Sequence, residues 1–197
     1  MNVAVESRVV EVFPVRQTVP SQRVEVRPVV SGALFEQMCR DRRKTYAALG
    51  VELHDDVLDA VRRFGTTLGV FVDGRLVGGF SCWRLSEGLC SLGFTLQRLH
   101  LERYQPDRTV ELGSMYVLPE YQGRGAARAL KEAGRVLLVG MKPELLVAFA
   151  VDHVVDLYVM EFGFRRVGPP VEHPLARGVK VTPLAATFKQ FAKRHYA

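Results

Sequence analysis

The sequence predicts an α/β fold in which strands and helices alternate around one sheet, and three stretches carry that prediction. Residues 110–118 hold β-branched and aromatic side chains that suit a strand, Pro119 and Glu120 end it, and residues 126–139 are rich in strong helix formers. That stretch reads as strand, tight loop and helix. Residues 68–72 and 75–85 are apolar runs joined by Asp73-Gly74, a pair that demands a tight primed turn and so a hairpin. Residues 144–151 form a continuous apolar strand, followed by a helix over 153–162 that closes at Gly163.

The remaining elements follow in order. Residues 1–22 alternate valine with charge around Pro14 and Pro20 and fit a strand pair, a partner-binding arm or a tail. They are set apart as an extension to a single domain over 23–197. Residues 24–29 alternate as a short strand, and Ser31 can cap a helix whose apolar face carries Leu34, Phe35, Met38 and Cys39. The basic Arg40, Arg42, Arg43 and Lys44 fall on that helix's outer turns, as a solvated face or as a contact to a carrier protein or substrate. Residues 55–64 make a short amphipathic helix with acids first and arginines last, as the helix dipole favours, and Gly65 stops it. Between 86 and 109, Cys90, Phe94, Leu96, Leu99, Leu101 and Tyr104 suit either core packing or the wall of an acyl or acceptor pocket. Residues 164–167 and 179–184 give the last two strands, ahead of a basic tail from Lys189 to His195.

At 197 residues the chain is long enough to bury a sizeable core. Hydrophobic residues make up 48% and are dispersed, with no run long enough to span a bilayer and no compact apolar leader, so a cytoplasmic protein is expected. Cys39, Cys82 and Cys90 are too scattered for a disulfide framework or a zinc site and read as buried thiols; no metal is expected. Lys and Arg number 27 against 21 acids, a net charge of +6 that should attract anions: coenzyme A, an acidic acyl carrier protein or nucleic acid. The positive residues lack the aromatic interleaving of a single-strand binder, so nucleic acid fits least.

The loop at 122–127 holds the chemistry. Gly123 and Gly125 remove side chains where the first N–H groups of a helix point outward, and Arg124 and Arg128 add charge. In isolation it reads either as an anion site suited to a pyrophosphate or as a glycine turn that caps a helix. The run from Met115 to Ala127, with Gln122, Gly125 and Ala127 in the spacing Gln-x-x-Gly-x-Ala, resembles the coenzyme-A-binding motif of the GCN5-related N-acyltransferases, the GNAT superfamily. The resemblance implies the GNAT fold: a mixed, mostly antiparallel sheet of about six to seven strands, flanked by about four helices and splayed between strands four and five. It implies acetyl-CoA or another acyl-CoA as co-substrate and direct attack of a small-molecule primary amine on the thioester. Backbone groups of Met115, Tyr116 and Val117 would hold the pantetheine arm, and Gln122, Gly123, Arg124, Gly125, Ala126 and Ala127 the pyrophosphate.

The same resemblance supplies catalytic roles. An alkyl ammonium has a pKa around 10 and must lose a proton before it can attack, and Glu111 stands where the family's catalytic glutamate does. A strand-end carboxylate in solvent, or a salt bridge to Arg108, is the plainer reading of Glu111; Asp152 is the second choice of base. Gly113 would ease a bulge that frees a backbone N–H for the tetrahedral oxyanion. Leu157-Tyr158 with Gly163-Phe164 resembles the family's Leu-Tyr-x-x-x-Gly-Phe signature, which makes Tyr158 the acid for the leaving thiolate, but one extra residue precedes the glycine. Tyr158 points correctly only if that helix end is distorted, since one residue turns a helical side chain by about 100°. The loop residues 168–178 are expected to wall the acceptor site, with His173 as a solvent-facing or supporting residue.

A narrower resemblance links residues 40–53, Asp59 with Phe64, Val77-Gly78-Gly79 and Val110-Glu111-Leu112-Gly113 to the branch containing N-acyl amino acid synthases, ornithine-lipid acyltransferases and autoinducer synthases, although Ser114 stands where that branch has arginine. It leaves a carrier-protein donor and a long acyl chain open. A non-catalytic acyl-CoA-binding or partner module, and a homodimer, also stay open.

Overall fold

The computed structural model describes residues 22–30, 32–53, 55–87, 100–101, 103–173 and 178–196. The elements are β1 (Val24–Pro28), α1 (Gly32–Ala47), α2 (Asp55–Phe64), β2 (Thr66–Val72), β3 (Arg75–Arg84), β4 (Thr109–Val117), α3 (Ala126–Met141), β5 (Leu145–Ala150), α4 (Asp152–Phe162), β6 (Arg165–Arg166), β7 (Val171–Glu172), β8 (Lys180–Thr187) and α5 (Phe188–Tyr196). They build one sheet in the order β1-β2-β3-β4-β5-β8-β6, with β7 also on β8. Every pairing is antiparallel except β4 with β5. The sheet has eight strands, and the described residues include five α-helices. The α/β class and the sheet predicted from sequence are thus present, with β7 and α5 added.

Local chemistry sets the frame. Asp73 and Gly74 both take positive φ, 50° and 81°, which lets β2 and β3 close in a two-residue turn with Val72 opposite Arg75. One face of the sheet is covered by α1 and α2, where Phe35, Met38, Leu58 and Val61 meet Phe71, Leu76 and Trp83. On the other face Ala129, Leu130 and Leu138 of α3, Val155 of α4 and Phe191 of α5 meet Val110, Leu146 and Leu184. The sheet is therefore buried on both sides, which is why β2, β3 and β5 are apolar along their length rather than alternating. Among the described residues no helix is long and apolar enough to cross a membrane.

One expectation is corrected here, and core packing, one of the two readings of Leu101 and Tyr104, is what the structure shows. Arg40, Arg43 and Lys44 are exposed on α1, but Arg42 is fully buried. Its position follows from helical spacing: Phe35, Met38, Cys39 and Arg42 share the i, i+3, i+4, i+7 stripe that faces the sheet. Leu101 and Tyr104 belong to the core under α1 and α2. The expectations for Ser31, for residues 1–21, for Cys90, Phe94, Leu96 and Leu99, and for residues 174–177 lie outside the described residues.

Candidate active site

The site arises where the one parallel pair of strands parts. β4 and β5 are paired from Thr109 opposite Leu145 to Leu112 opposite Ala148, and there the pairing stops although β4 runs on to Val117. On its other side β4 bulges. Gly79 faces Tyr116 and Ser81 faces Gly113, so β4 spends one residue more than β3 across that interval. The backbone beyond Leu112 therefore has one edge without a strand partner, over the residues that the family resemblance associates with pantetheine.

A cavity of about 570 Å³ opens at this parting. That volume lies in the range of about 300–1,000 Å³ usual for small-molecule sites. Met115, Tyr116, Val117, Gln122 and Ala127 line it on the side of β4 and α3, and Leu157 and Tyr158 on the side of α4. Tyr46, Leu49, Val51 and Leu53, from α1 and the loop after it, face Phe149, Val151, Val179 and Val181 across the other end. His173 joins that end, its ring edge-on to Phe149 at 6.1 Å, and burial pushes its pKa down. His173 of that loop thus lines the cavity and is half-buried rather than facing solvent.

Glu111 lines the cavity from the fully paired part of β4 and is 7% exposed. Burial pushes its carboxyl up to about 7 from an ordinary 4.5. The neighbouring Trp83 indole opposes that rise, yet neither Trp83 Nε1 nor Glu111 Oε2 has a formed hydrogen bond. The plainer readings of Glu111 are overturned: it is not solvated, and Arg108 pairs instead with Glu144 at 2.6 Å. Asp152 is exposed at the first turn of α4 and does not line the cavity. Trp83 is the cross-strand partner of Glu111, and its ring lies over Gly113, where a Cβ would come within 2.2 Å of it. Glycine at 113 thus makes room for the indole as well as for the bulge.

The loop after β4 has the form of an anion cradle. Gln122 Nε2 donates to the Val117 carbonyl at 3.1 Å and ties the loop to the strand end. Gly123 and Gly125 have φ of 73° and 84°, left-handed values that side chains disfavour, and no side chain caps the first turn of α3. Arg124 and Arg128 are exposed beside the leading N–H groups of that helix, an arrangement suited to an anion. Ala126 is fully buried in the core, so only its backbone could serve a ligand.

Tyr158 faces the cavity despite its offset in sequence. The N–H groups of Gly163 and Phe164 both return to the Tyr158 carbonyl, so the last turn of α4 is wider than an ordinary α-turn and takes up the extra residue. The ring packs on Phe162 and Phe164, each at 5.5 Å, and burial raises its pKa. Sequence reasoning missed Tyr46, Trp83 and His153 as cavity residues. Tyr46 was readable in principle: it continues the buried stripe of α1 four residues after Arg42.

A parted parallel strand pair, a glycine loop leading into a helix and a buried carboxylate on the strand wall define a protein of the acyl-transferring α/β class. The chain belongs to the Acetyltransferase (GNAT) family, which matches residues 33–164. No curated protein matches the sequence. Among solved structures, the chain is similar to FeeM, an N-acyl amino acid synthase from uncultured soil microbes, at 16% identity and a TM-score of 0.74. That alignment covers 90% of this chain and 99% of the other. It is also similar to the AHL synthase LasI, at 15% identity and a TM-score of 0.61 over 89% and 95% of the two chains. A GNAT acetyltransferase from Elizabethkingia anophelis with acetyl-CoA bound aligns at 12% identity, with a TM-score of 0.56 over 84% and 98%. At these identities the likeness is one of fold, and it includes members of the narrower branch that the sequence resembles. The family makes the chain an acyltransferase.

Proposed function

We propose that the protein moves an acyl group from the thioester of an acyl-CoA to the primary amine of a small molecule with an apolar body. Pantetheine would lie along the open edge of β4 at Met115, Tyr116 and Val117, with the pyrophosphate on the amides of residues 123–127 and the charges of Arg124 and Arg128, since the Gln122 N–H already donates to the Pro119 carbonyl. Glu111 takes the ammonium proton, directly or through a water, and frees the nitrogen to attack the thioester carbon. A backbone N–H at the β4 bulge is the donor for the tetrahedral oxyanion. Tyr158 is the phenol that the family resemblance assigns to the departing thiolate. The observation that supports this reading most is the buried Glu111 carboxyl on the cavity wall at the parting of β4 and β5, with a pKa close to neutrality. The apolar end lined by Leu53, Phe149 and Val181 supports an acyl chain longer than acetyl or an apolar acceptor.

Calorimetric titration with coenzyme A, acetyl-CoA and a long-chain acyl-CoA, followed by an amine screen, tests the reading. Micromolar binding together with amide formation that Glu111→Gln abolishes is the expected result. Binding without turnover, indifferent to that substitution, would instead identify an acyl-CoA-binding module. One observation favours a second donor: Arg40 and Lys44 are exposed on α1, whose end forms the cavity mouth, and would suit an acidic carrier protein. Acyl transfer from a loaded carrier protein, with none from acyl-CoA, would select it.

A further inference from the structure

Behind the cavity wall lies a charge that the reaction described so far does not use. Arg42 is fully buried, and no carboxylate pairs with it among the described residues. Its Nη2 donates to Ser81 Oγ at 3.0 Å, while Nε and Nη1 have no partner. Its guanidinium also lies over the Tyr116 ring, 5.6 Å from the centroid, and a buried charge with so few partners is costly to keep. The acidic groups that sense it are the Tyr46 and Tyr116 phenols and the Cys39 thiol. Cys39 is buried on α1 away from the cavity, and the Tyr116 hydroxyl is buried without a hydrogen-bond partner. Tyr46 is the one whose hydroxyl reaches the open half of β4: it donates to the Met115 carbonyl at 3.3 Å, inside the bulge.

We infer that Tyr46, backed by the buried Arg42, is the proton donor to the departing thiolate, and that Tyr158 is its neighbour rather than the immediate acid. As the C–S bond breaks, its electron pair goes to sulfur. The Tyr46 hydroxyl gives its proton to that sulfur, forming the free thiol, and the phenolate left behind is balanced by Arg42. The nitrogen gives up two protons between ammonium and amide: the one that Glu111 took replaces the Tyr46 proton by way of solvent, and the second leaves the tetrahedral intermediate for water, so each turnover releases one proton. Tyr158 is less suited to the step: its ring sits among phenylalanines, and charge on Tyr46 raises its pKa further, whereas Arg42 lowers that of Tyr46 against the effect of burial. Arg42 acts through Tyr46 and is a positioning residue; it does not line the cavity.

This inference rests on the acyl-transfer reading above, and the leaving group separates the two. Acyl-CoA releases an alkyl thiolate that needs a proton, whereas an S-acyl nitrothiophenol releases a thiolate stable without one. Tyr46→Phe should lower kcat with acyl-CoA by about 100-fold, within the usual reach of general acid catalysis, and leave the aryl thioester within about 3-fold. Arg42→Met should reproduce that selective loss and Arg42→Lys should recover most of it, each variant being checked for a native circular dichroism spectrum. Equal losses on both donors in Tyr46→Phe would overturn the inference in favour of a packing role. A selective loss in Tyr158→Phe with none in Tyr46→Phe would return the step to Tyr158. An unaltered enzyme that transfers from neither donor to any amine would overturn the acyl-transfer reading itself, and this inference with it.

Discussion

The two halves of β4 are paired differently. Residues 110–112 pair with β3 on one side and β5 on the other, whereas residues 113–117 pair with β3 alone, across a bulge. A strand hydrogen-bonded on both edges cannot shift without breaking two ladders, so the first half holds Glu111 rigidly. The second half keeps a free backbone edge that a ligand can join as another strand would. At about 3.3 Å per residue, the change from one regime to the other takes place within a few ångströms of the carboxylate. Under the proposed function, rigidity for the base and an open edge for the donor would thus come from one continuous strand, with no mobile loop required.

The largest effect should come from the rigid half. Glu111→Gln should lower kcat by about 10²- to 10⁴-fold, the usual contribution of a general base. In the parent enzyme the rate should rise with pH through about 7, as Glu111 loses its proton, and that inflection should vanish in the variant. Stability should move the other way. The carboxyl ionises near its ordinary 4.5 in the unfolded chain but near 7 in the folded one, so between these values the unfolded chain binds fewer protons and stability falls as pH rises. Removing that penalty should make the Gln variant more stable at pH 8 by an amount on the order of 3 kcal/mol. Thermal unfolding of both proteins at pH 5 and pH 8 checks the sign, and equal Tm differences at the two pH values would contradict it.

The junction and the loop should respond next. Gly113→Val places carbon against the Trp83 ring and should cost about 1–3 kcal/mol by overpacking, read as a lower urea midpoint with an unchanged slope. Because the ring is the cross-strand neighbour of Glu111, the pH inflection should shift as well. Gly125→Ala acts on the open half only. It sets a side chain at φ 84° and should cost about 1–2 kcal/mol, seen as weaker coenzyme A binding with the inflection near pH 7 retained. An altered inflection in Gly125→Ala would mean that the two halves are not independent.

Much of this was legible in the sequence. Asp73-Gly74, the glycine loop and the long helix after it are local signals that tertiary context does not override, and the structure has each of them. β7 and α5 were not read. β7 is two residues long, too short to show a period, and the tail from Lys189 onward drew the eye for its charge. The site was legible where a motif marked it and obscure where only spacing did. Arg42 and Tyr46 sit on the same stripe as Phe35, Met38 and Cys39, but the block of basic residues around Arg42 reads first as a solvated face. A charged residue at i+7 of an apolar stripe is a signal that composition hides. Tyr158 teaches the converse: its extra residue counted against it, and a wider helical turn at Gly163 takes up the difference.

The smallest expected effect isolates the carboxylate assignment. Asp152 lies just past β5, on the other side of the parting from Glu111, and sequence alone makes it the second choice of base. It is exposed, off the cavity wall and in the first turn of α4, where a negative charge meets the positive end of the helix dipole. That placement predicts a stabilising role of about 0.3–1 kcal/mol and no part in the chemistry. Asp152→Asn should therefore lower Tm slightly, and less so at high salt, while kcat and its inflection near pH 7 stay as they were. A substantial drop in kcat with the inflection moved would mean that the exposed carboxylate, and not the buried one, takes the proton, and the contrast between the two halves of β4 would lose its catalytic meaning.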